Sequence, residues 1–193
     1  HTSSKRLPEK WKGDVIAQYH SSLDKDGDGI DDQVDILEGA IAYVNTHPKY
    51  KSAYYAGGYP NDGYGVCTDV VAYALKAAGY DLMELLSADI AMHADMYDIE
   101  VADKNIDFRR VKNLYVFFNL NAESLTTDIK DIKSWQGGDI VIFKNHIAIV
   151  SDRRNLDGIP YVIHHANPFQ KSYEEDILEK HDDIRGHYRW NKG

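Results

Sequence analysis

Residues 135–151 read W-Q-G-G-D-I-V-I-F-K-N-H-I-A-I-V-S, and this stretch decides the second half of the fold. Two runs of β-branched and apolar residues are separated by a few polar positions, which predicts two neighbouring strands joined by a tight turn. The runs P-Y-V-I-H-H at 160–165 and G-H-Y-R-W at 186–190 have the same character. The pattern predicts an antiparallel sheet after Trp135.

The residues before Trp135 carry the periodicity of helices instead. A loop over 50–66, rich in Tyr, Gly and Asp, interrupts them. Helices followed by strands are typical of the α+β class, in which a helical half packs on an antiparallel sheet. Apolar residues recur at helical spacing in 13–23, 36–44, 67–79, 82–97 and 114–120.

Composition excludes two classes of protein. The chain of 193 residues has 22 Lys and Arg against 31 Asp and Glu, a net charge of −9. A nucleic-acid-binding protein needs clustered basic residues to neutralise phosphates, so we expect no nucleic-acid partner. No apolar run approaches the ~18 residues that a transmembrane helix requires. Length and composition predict one globular domain with a small appendage.

The single cysteine, Cys67, opens a predicted helix directly after a glycine-rich loop. The free N–H groups and the dipole at a helix N-terminus favour a thiolate there. This placement suits a nucleophile. The alternative is that Cys67 is a small buried apolar residue, which is common for free cysteines.

A thiol nucleophile needs an imidazole to accept its proton and a polar group to orient that imidazole. His146 heads a predicted strand, so it is a candidate base. His164 and His165 are consecutive in the next strand and must point to opposite faces, so only one of them can reach His146. The pattern leaves the choice between these two open.

Residues 24–35, D-K-D-G-D-G-I-D-D-Q-V-D, have the ligand spacing of an EF-hand loop, with Gly29 at the sharp turn. Asp35 stands where an EF-hand has Glu, which is similar to dockerin loops. We expect a structural calcium ion within a helix-loop-helix over 13–47, a magnesium-tolerant site and a solvated acidic turn being the alternatives. The predicted ligands are Asp24, Asp26, Asp28, Ile30 through its carbonyl, Asp32 and Asp35.

The order of these motifs resembles that of the NlpC-type cell-wall peptidases, a papain-like superfamily in which a Cys caps a helix and a His heads a strand. A closer resemblance, over roughly residues 37–190, is to the YijF-like bacterial family of unknown function. The segments that carry it are G-Y-P-N-D-G-Y-G-V-C-T-D-V-V (58–71), N-I-D-F-R-R-V-K-N-L (105–114), E-E-D-I-L (174–178) and G-H-Y-R (186–189).

The resemblance implies a papain-like, NlpC-type catalytic domain over residues 48–193, preceded by a flexible segment over 1–12 and the calcium helix-loop-helix. It makes Cys67 the nucleophile, His146 the base and His164 the orienting residue. The YijF-like family tends to have Asn at the position of His165, which leaves a rearranged third member open.

The resemblance also implies residues around the substrate. Tyr54, with Tyr55 as the competing choice, would assist an oxyanion hole together with the backbone N–H of the cysteine. Asp69 would border the pocket or stabilise the helix N-terminus. Arg109 and Arg110 would bind a substrate carboxylate or pair with acidic groups of the protein.

The implied function is a cysteine peptidase or amidase that cleaves an amide bond in cell-wall peptide or another peptide substrate. We expect an exported protein, extracellular, wall-associated or periplasmic, whose signal peptide is absent from this sequence. Two alternatives use the same features: a non-catalytic module that binds wall peptides, and an acyl or amide transferase. No cofactor is expected for the chemistry itself.

Overall fold

Helices lead and strands follow in the computed structural model, which describes residues 1–191. The helices are α1 (Asp32–Val44), α2 (Cys67–Ala77), α3 (Leu82–Met92), α4 (Lys104–Asp107) and α5 (Val111–Asn121). The strands are β1 (Lys49–Tyr50), β2 (Tyr64–Gly65), β3 (Glu123–Leu125), β4 (Ile140–Phe143), β5 (Ile147–Arg154), β6 (Pro160–Ile163), β7 (Glu174–Glu175) and β8 (Ile184–Arg189). This arrangement confirms the α+β class.

The main sheet has six strands in the order β3-β8-β4-β5-β6-β7, and all of its neighbours are antiparallel. Strands β4, β5 and β6 are consecutive antiparallel neighbours and β7 extends the sheet beyond β6, whereas β8 returns to pair with the other edge of β4. The short strands β1 and β2 form a separate parallel pair, in which Tyr50 lies opposite Gly65. This pair holds the loop that leads to α2.

The core is split by the sheet because strand residues alternate between its faces. Ile147 and Ile149 of β5 pack in one cluster with α1, α2, α3 and α5. Ala148 and Val150 pack in a second cluster on the other face, around Trp135. The cysteine helix α2 therefore lies on the Ile147 face and packs against both α1 and β5.

Side chains at the helix starts explain where α1 and α2 begin. The Asp31 carboxylate accepts hydrogen bonds from the N–H groups of Gln33 and Val34, which caps α1. The N–H of Val66 donates to Asp69 at 2.8 Å, which fixes the first turn of α2. Within residues 1–191, no helix has the length and hydrophobicity needed to cross a membrane.

The predicted helix over residues 13–23 is absent from the structure, where α1 is the first helix. Side chains of other segments satisfy the backbone groups that a helix would have paired. The Gln136 amide bonds the N–H of Tyr19 and the carbonyl of Ala17, and Asp31 accepts the N–H of Ser21. The acidic loop over residues 24–35 is consequently followed by a helix, α1, but no helix precedes it in residues 1–23.

The N-terminal segment, predicted to be flexible, lies against the sheet. Arg6 forms ion pairs with Glu174 and Asp152 at 2.7 and 2.6 Å. The N–H of Ser3 donates to Lys171, and that of Lys10 donates to Arg154. These contacts run along β5 and β7, so the segment is part of the folded body.

Candidate active site

Cys67 is the first residue of α2, as predicted, and its side chain is half-buried. The backbone N–H of Ile147 donates to its sulfur. Ile147 is the first residue of β5 and directly follows His146. The thiol therefore lies next to the backbone of the residue that follows His146.

His146 lies in the turn between β4 and β5. Its imidazole is the first member of a chain of hydrogen-bonded side chains, His146–His164–Glu175, which we call the relay. Its Nε2 is 2.7 Å from Nδ1 of His164. Nε2 of His164 is in turn 2.8 Å from Oε1 of Glu175, and the His164 side chain is only 3% exposed. Sequence analysis missed Glu175. It is the second residue of β7, a two-residue strand whose pairing with β6 could not be recognised from the sequence.

Glu175 determines the tautomers along this relay. A carboxylate only accepts hydrogen bonds, so Nε2 of His164 carries the proton toward it. Nδ1 of His164 is then unprotonated and accepts from the Nε2–H of His146. The remaining nitrogen of His146, Nδ1, is left with a free lone pair, which is the form that a general base requires.

Burial keeps both reacting groups neutral. It raises the pKa of the Cys67 thiol to about 11, although the N–H of Ile147 acts in the opposite direction. Burial and the neighbouring His164 lower the pKa of His146 to about 3. These pKa directions favour a neutral thiol and a neutral imidazole, whereas the helix N-terminus by itself favours the thiolate.

His165 points to the other face of β6, as the alternation of a strand requires. Its ring packs edge-on against Tyr50 and Tyr173, with centroids 5.3 Å apart in both pairs. Its Nδ1 is buried without a hydrogen-bond partner among residues 1–191. Of the two consecutive histidines, His164 is the one that bonds His146.

Two comparisons with known proteins give the family. The family model described as "Domain of unknown function (DUF1287)" matches residues 37–190. The chain belongs to the DUF1287 family. It is also 36% identical over 168 residues to "Uncharacterized protein YijF" of Escherichia coli (strain K12), covering 80% of each chain. No solved structure matches the chain.

Cys67 and the His146–His164–Glu175 relay lie wholly inside the region that the DUF1287 model matches. The acidic loop over 24–35 precedes that region. The DUF1287 match thus covers the candidate active site, and the acidic loop is an addition to it.

Tyr54 and Tyr55, the two tyrosines predicted for the oxyanion hole, are turned toward other partners in this DUF1287 protein. The hydroxyl of Tyr54 donates to Asp103 at 2.9 Å, and that of Tyr55 donates to Asp62 at 2.8 Å. The tyrosine beside the thiol is Tyr50, whose pKa is raised by burial and by the nearby charge of Cys67. The pairing of β1 with β2 puts it there, and no sequence signal marks that two-residue pair.

Asp69 and Arg109 form a buried ion pair, with side chains 0% and 2% exposed. The guanidinium donates to both Asp69 oxygens at 2.9 Å and also to the carbonyl of Ala53. Arg109 is therefore not available for a substrate carboxylate, and Asp69 does not border an open pocket. Both predicted roles are corrected: the pair ties α2 to the loop before it.

Arg110 is exposed and lines a cavity of about 610 Å³, together with Asp103 and Asp107. A negative carboxylate ligand would meet acidic side chains at that place. Another cavity, of about 540 Å³, is lined by Tyr50 and His165. This second cavity is connected to the surroundings of the thiol through Tyr50, whose pKa is affected by Cys67.

The structure brings three of the six predicted calcium ligands together. Carboxylate oxygens of Asp24, Asp26 and Asp28 lie within 4.8 Å of one another. Asp32 does not join them: its oxygens accept from the N–H of Lys25 at 2.8 Å and from the hydroxyl of Tyr80. Asp32 as a direct calcium ligand stays a prediction.

Proposed function

We propose that this DUF1287 protein is a cysteine hydrolase of amide bonds, a peptidase or amidase with an NlpC-type, papain-like catalytic domain. One observation carries the proposal. The Cys67 thiol is bonded to the first peptide of the strand that His146 precedes, and His146 is oriented by the His164–Glu175 pair. Nucleophile, base and orienting group are the three parts that thiol catalysis requires.

In the first half-reaction, His146 Nδ1 accepts the thiol proton while Cys67 Sγ attacks the carbonyl carbon of the amide. The C–N bond then breaks, the imidazolium gives the proton to the leaving amine, and a thioester remains. In the second half, water gives a proton to His146 and its oxygen to the acyl carbon. The C–S bond breaks, the acid leaves, and the proton returns to the sulfur.

A neutral Cys67 thiol and a neutral His146 imidazole in the resting enzyme are compatible with this mechanism, in which the proton moves to His146 as the sulfur attacks the carbonyl carbon. His146 acts as a general base during attack, and no preformed thiolate is needed. The positive charge that forms on His146 is stabilised through His164 by the carboxylate of Glu175. The relay therefore contributes most in the transition state, where that charge develops.

Two groups near the thiol are suited to an oxyanion hole. The backbone N–H of Cys67 lies in the first turn of α2 and has no acceptor within the helix. The hydroxyl of Tyr50 is the second donor that we propose, in place of Tyr54. Both would donate to the carbonyl oxygen as it gains negative charge.

For the substrate, we propose peptides of the bacterial cell wall, cleaved by an exported enzyme. The support is the resemblance to NlpC-type peptidases, together with a cavity of about 540 Å³, lined in part by Tyr50, that has room for several residues of a peptide. Tyr50 and Tyr64 give this cavity aromatic walls, and Lys49 supplies a cation that suits a substrate carboxylate.

The test is digestion of purified peptidoglycan of several chemotypes, with fragments identified by mass spectrometry. We expect new amine and carboxyl ends with the wild-type protein, and none with Cys67→Ala or His146→Ala. A binding module would instead retain equal affinity for walls in Cys67→Ala and release no fragments with either protein. That outcome would contradict the hydrolase proposal.

A further inference from the structure

One buried carboxylate in the acidic loop lacks the partners that such a group requires. Asp35, in the first turn of α1, is 7% exposed, and its Oδ2 is buried without a hydrogen-bond partner in residues 1–191. Burying a polar oxygen without a partner costs about 1–3 kcal/mol, and more when the group is charged. Oδ2 of Asp35 therefore needs a hydrogen-bond donor or a cation that residues 1–191 do not supply.

The unpartnered carboxylate lies close enough to the exposed cluster of three aspartates to interact with their charges. Burial raises the pKa of Asp35 to about 6, and the next largest contributions come from the negative charges of Asp28 and Asp26. The oxygens of that cluster already lie within 4.8 Å of one another. Asp35 thus adds a fourth carboxylate whose charge interacts with those of the cluster.

We propose that Asp24, Asp26, Asp28 and Asp35, with the carbonyl of Ile30, bind one calcium ion. Calcium takes six to eight oxygen ligands, which these groups and water together provide. The ninth position of such loops often coordinates through water. This agrees with Asp32 at that position, whose oxygens are bonded to Lys25 and Tyr80.

The ion has a structural role, because the loop packs on the far end of the cysteine helix. Gly79, which follows α2, has a φ of 96°, and a Cβ on it would lie 3.2 Å from side-chain atoms of Lys25 and Asp26. The next residue, Tyr80, donates its hydroxyl to Asp32. Calcium therefore fixes the loop, the start of α1 and the end of α2 as one unit.

The experiment uses the full chain, freed of metal with a chelator and titrated with calcium chloride or magnesium chloride. Calorimetry is expected to show one calcium site with weaker magnesium binding. At a calcium concentration of 100 Kd, Tm should rise by about 5–10 °C. Absence of both heat and a Tm shift, or tighter magnesium binding, would overturn the proposal.

Asp26→Asn separates metal binding from simple damage to the fold. Without metal, removing one of several repelling charges should leave Tm unchanged or raise it, whereas the calcium-induced rise should be lost. Asp35→Asn should likewise lose the rise. Asp95→Asn, at an exposed position outside the loop, is the matched control and should keep it. A full calcium response in both loop variants would contradict the site.

Discussion

Nε2 of His164 lies 2.8 Å from Oε1 of Glu175, and this contact fixes which nitrogen of His164 carries a proton. Because Nδ1 of His164 is then unprotonated, the 2.7 Å contact between the two rings fixes the proton of His146 on its Nε2. A residue on β7 thereby sets the chemistry of a base on the turn before β5, which is two strands away in the sheet. Glu175 is a positioning residue, because it acts only through His164.

Replacing Glu175 with Gln should lower kcat about tenfold, with little change in KM. The effect should be smaller than the ~10⁴-fold loss that a wrong tautomer causes in a buried triad, because the Glu175 side chain is 32% exposed. The pH profile of kcat should shift as well, since the imidazolium loses a stabilising charge. Steady-state kinetics against pH on a wall-peptide substrate provide the measurement.

Glu174→Gln is the neighbouring control for this change. Glu174 bonds Arg6 and Ser151 and does not join the relay. This variant should lower Tm and leave the pH profile of kcat unchanged. If both variants changed kcat equally, Glu175 would have only a structural role.

His164 and His165 should differ sharply although they are adjacent in sequence and both buried. His164→Ala removes the group that orients the base, and we expect kcat to fall by about 10²–10⁴-fold, the usual contribution of a positioned acid–base group. His165→Phe preserves an aromatic ring against Tyr50 and Tyr173 and should keep kcat within a few-fold. Comparable losses in the two variants would contradict the assignment of the orienting role to His164 alone.

The pKa of the thiol gives a prediction that needs no substrate. A cysteine with a pKa of about 11 has less thiolate at pH 7 than a free cysteine, so iodoacetamide should react slowly at neutral pH. The rate should rise with pH and keep rising above pH 9.5. Mass spectrometry of the alkylated chain follows the reaction, with Cys67→Ala as the blank. A midpoint below 8.5 would show instead that the thiol is activated at rest.

Local patterns were sufficient to predict the parts of the site that lie on long elements. Cys67 at a helix start, His146 before a strand and the opposite faces of His164 and His165 all follow from periods of 3.6 and 2 residues. The acidic loop was likewise visible from its spacing. These features depend on residues within one element or on two consecutive elements.

Residues on two-residue strands could not be assigned in this way. Tyr50 and Glu175 lie on β1 and β7, which are too short to show alternation and exist only because distant partners pair with them. Arg109 was misassigned for a related reason. Its partner Asp69 is 40 residues away, and a sequence gives no sign that a basic residue is buried against a particular acid.

Arg109 therefore provides a stability prediction in place of a binding one. Arg109→Ala leaves Asp69 as an unpaired charge in a fully buried position and should destabilise the fold by about 3–5 kcal/mol. The double variant Asp69→Asn/Arg109→Met removes both charges and should lose less than the sum of the single changes, because neither partner is left uncompensated. Urea denaturation of the wild type, the two single variants and the double variant measures this coupling. Additive losses would mean that the two side chains stabilise the protein independently, which would contradict the coupling predicted for the ion pair.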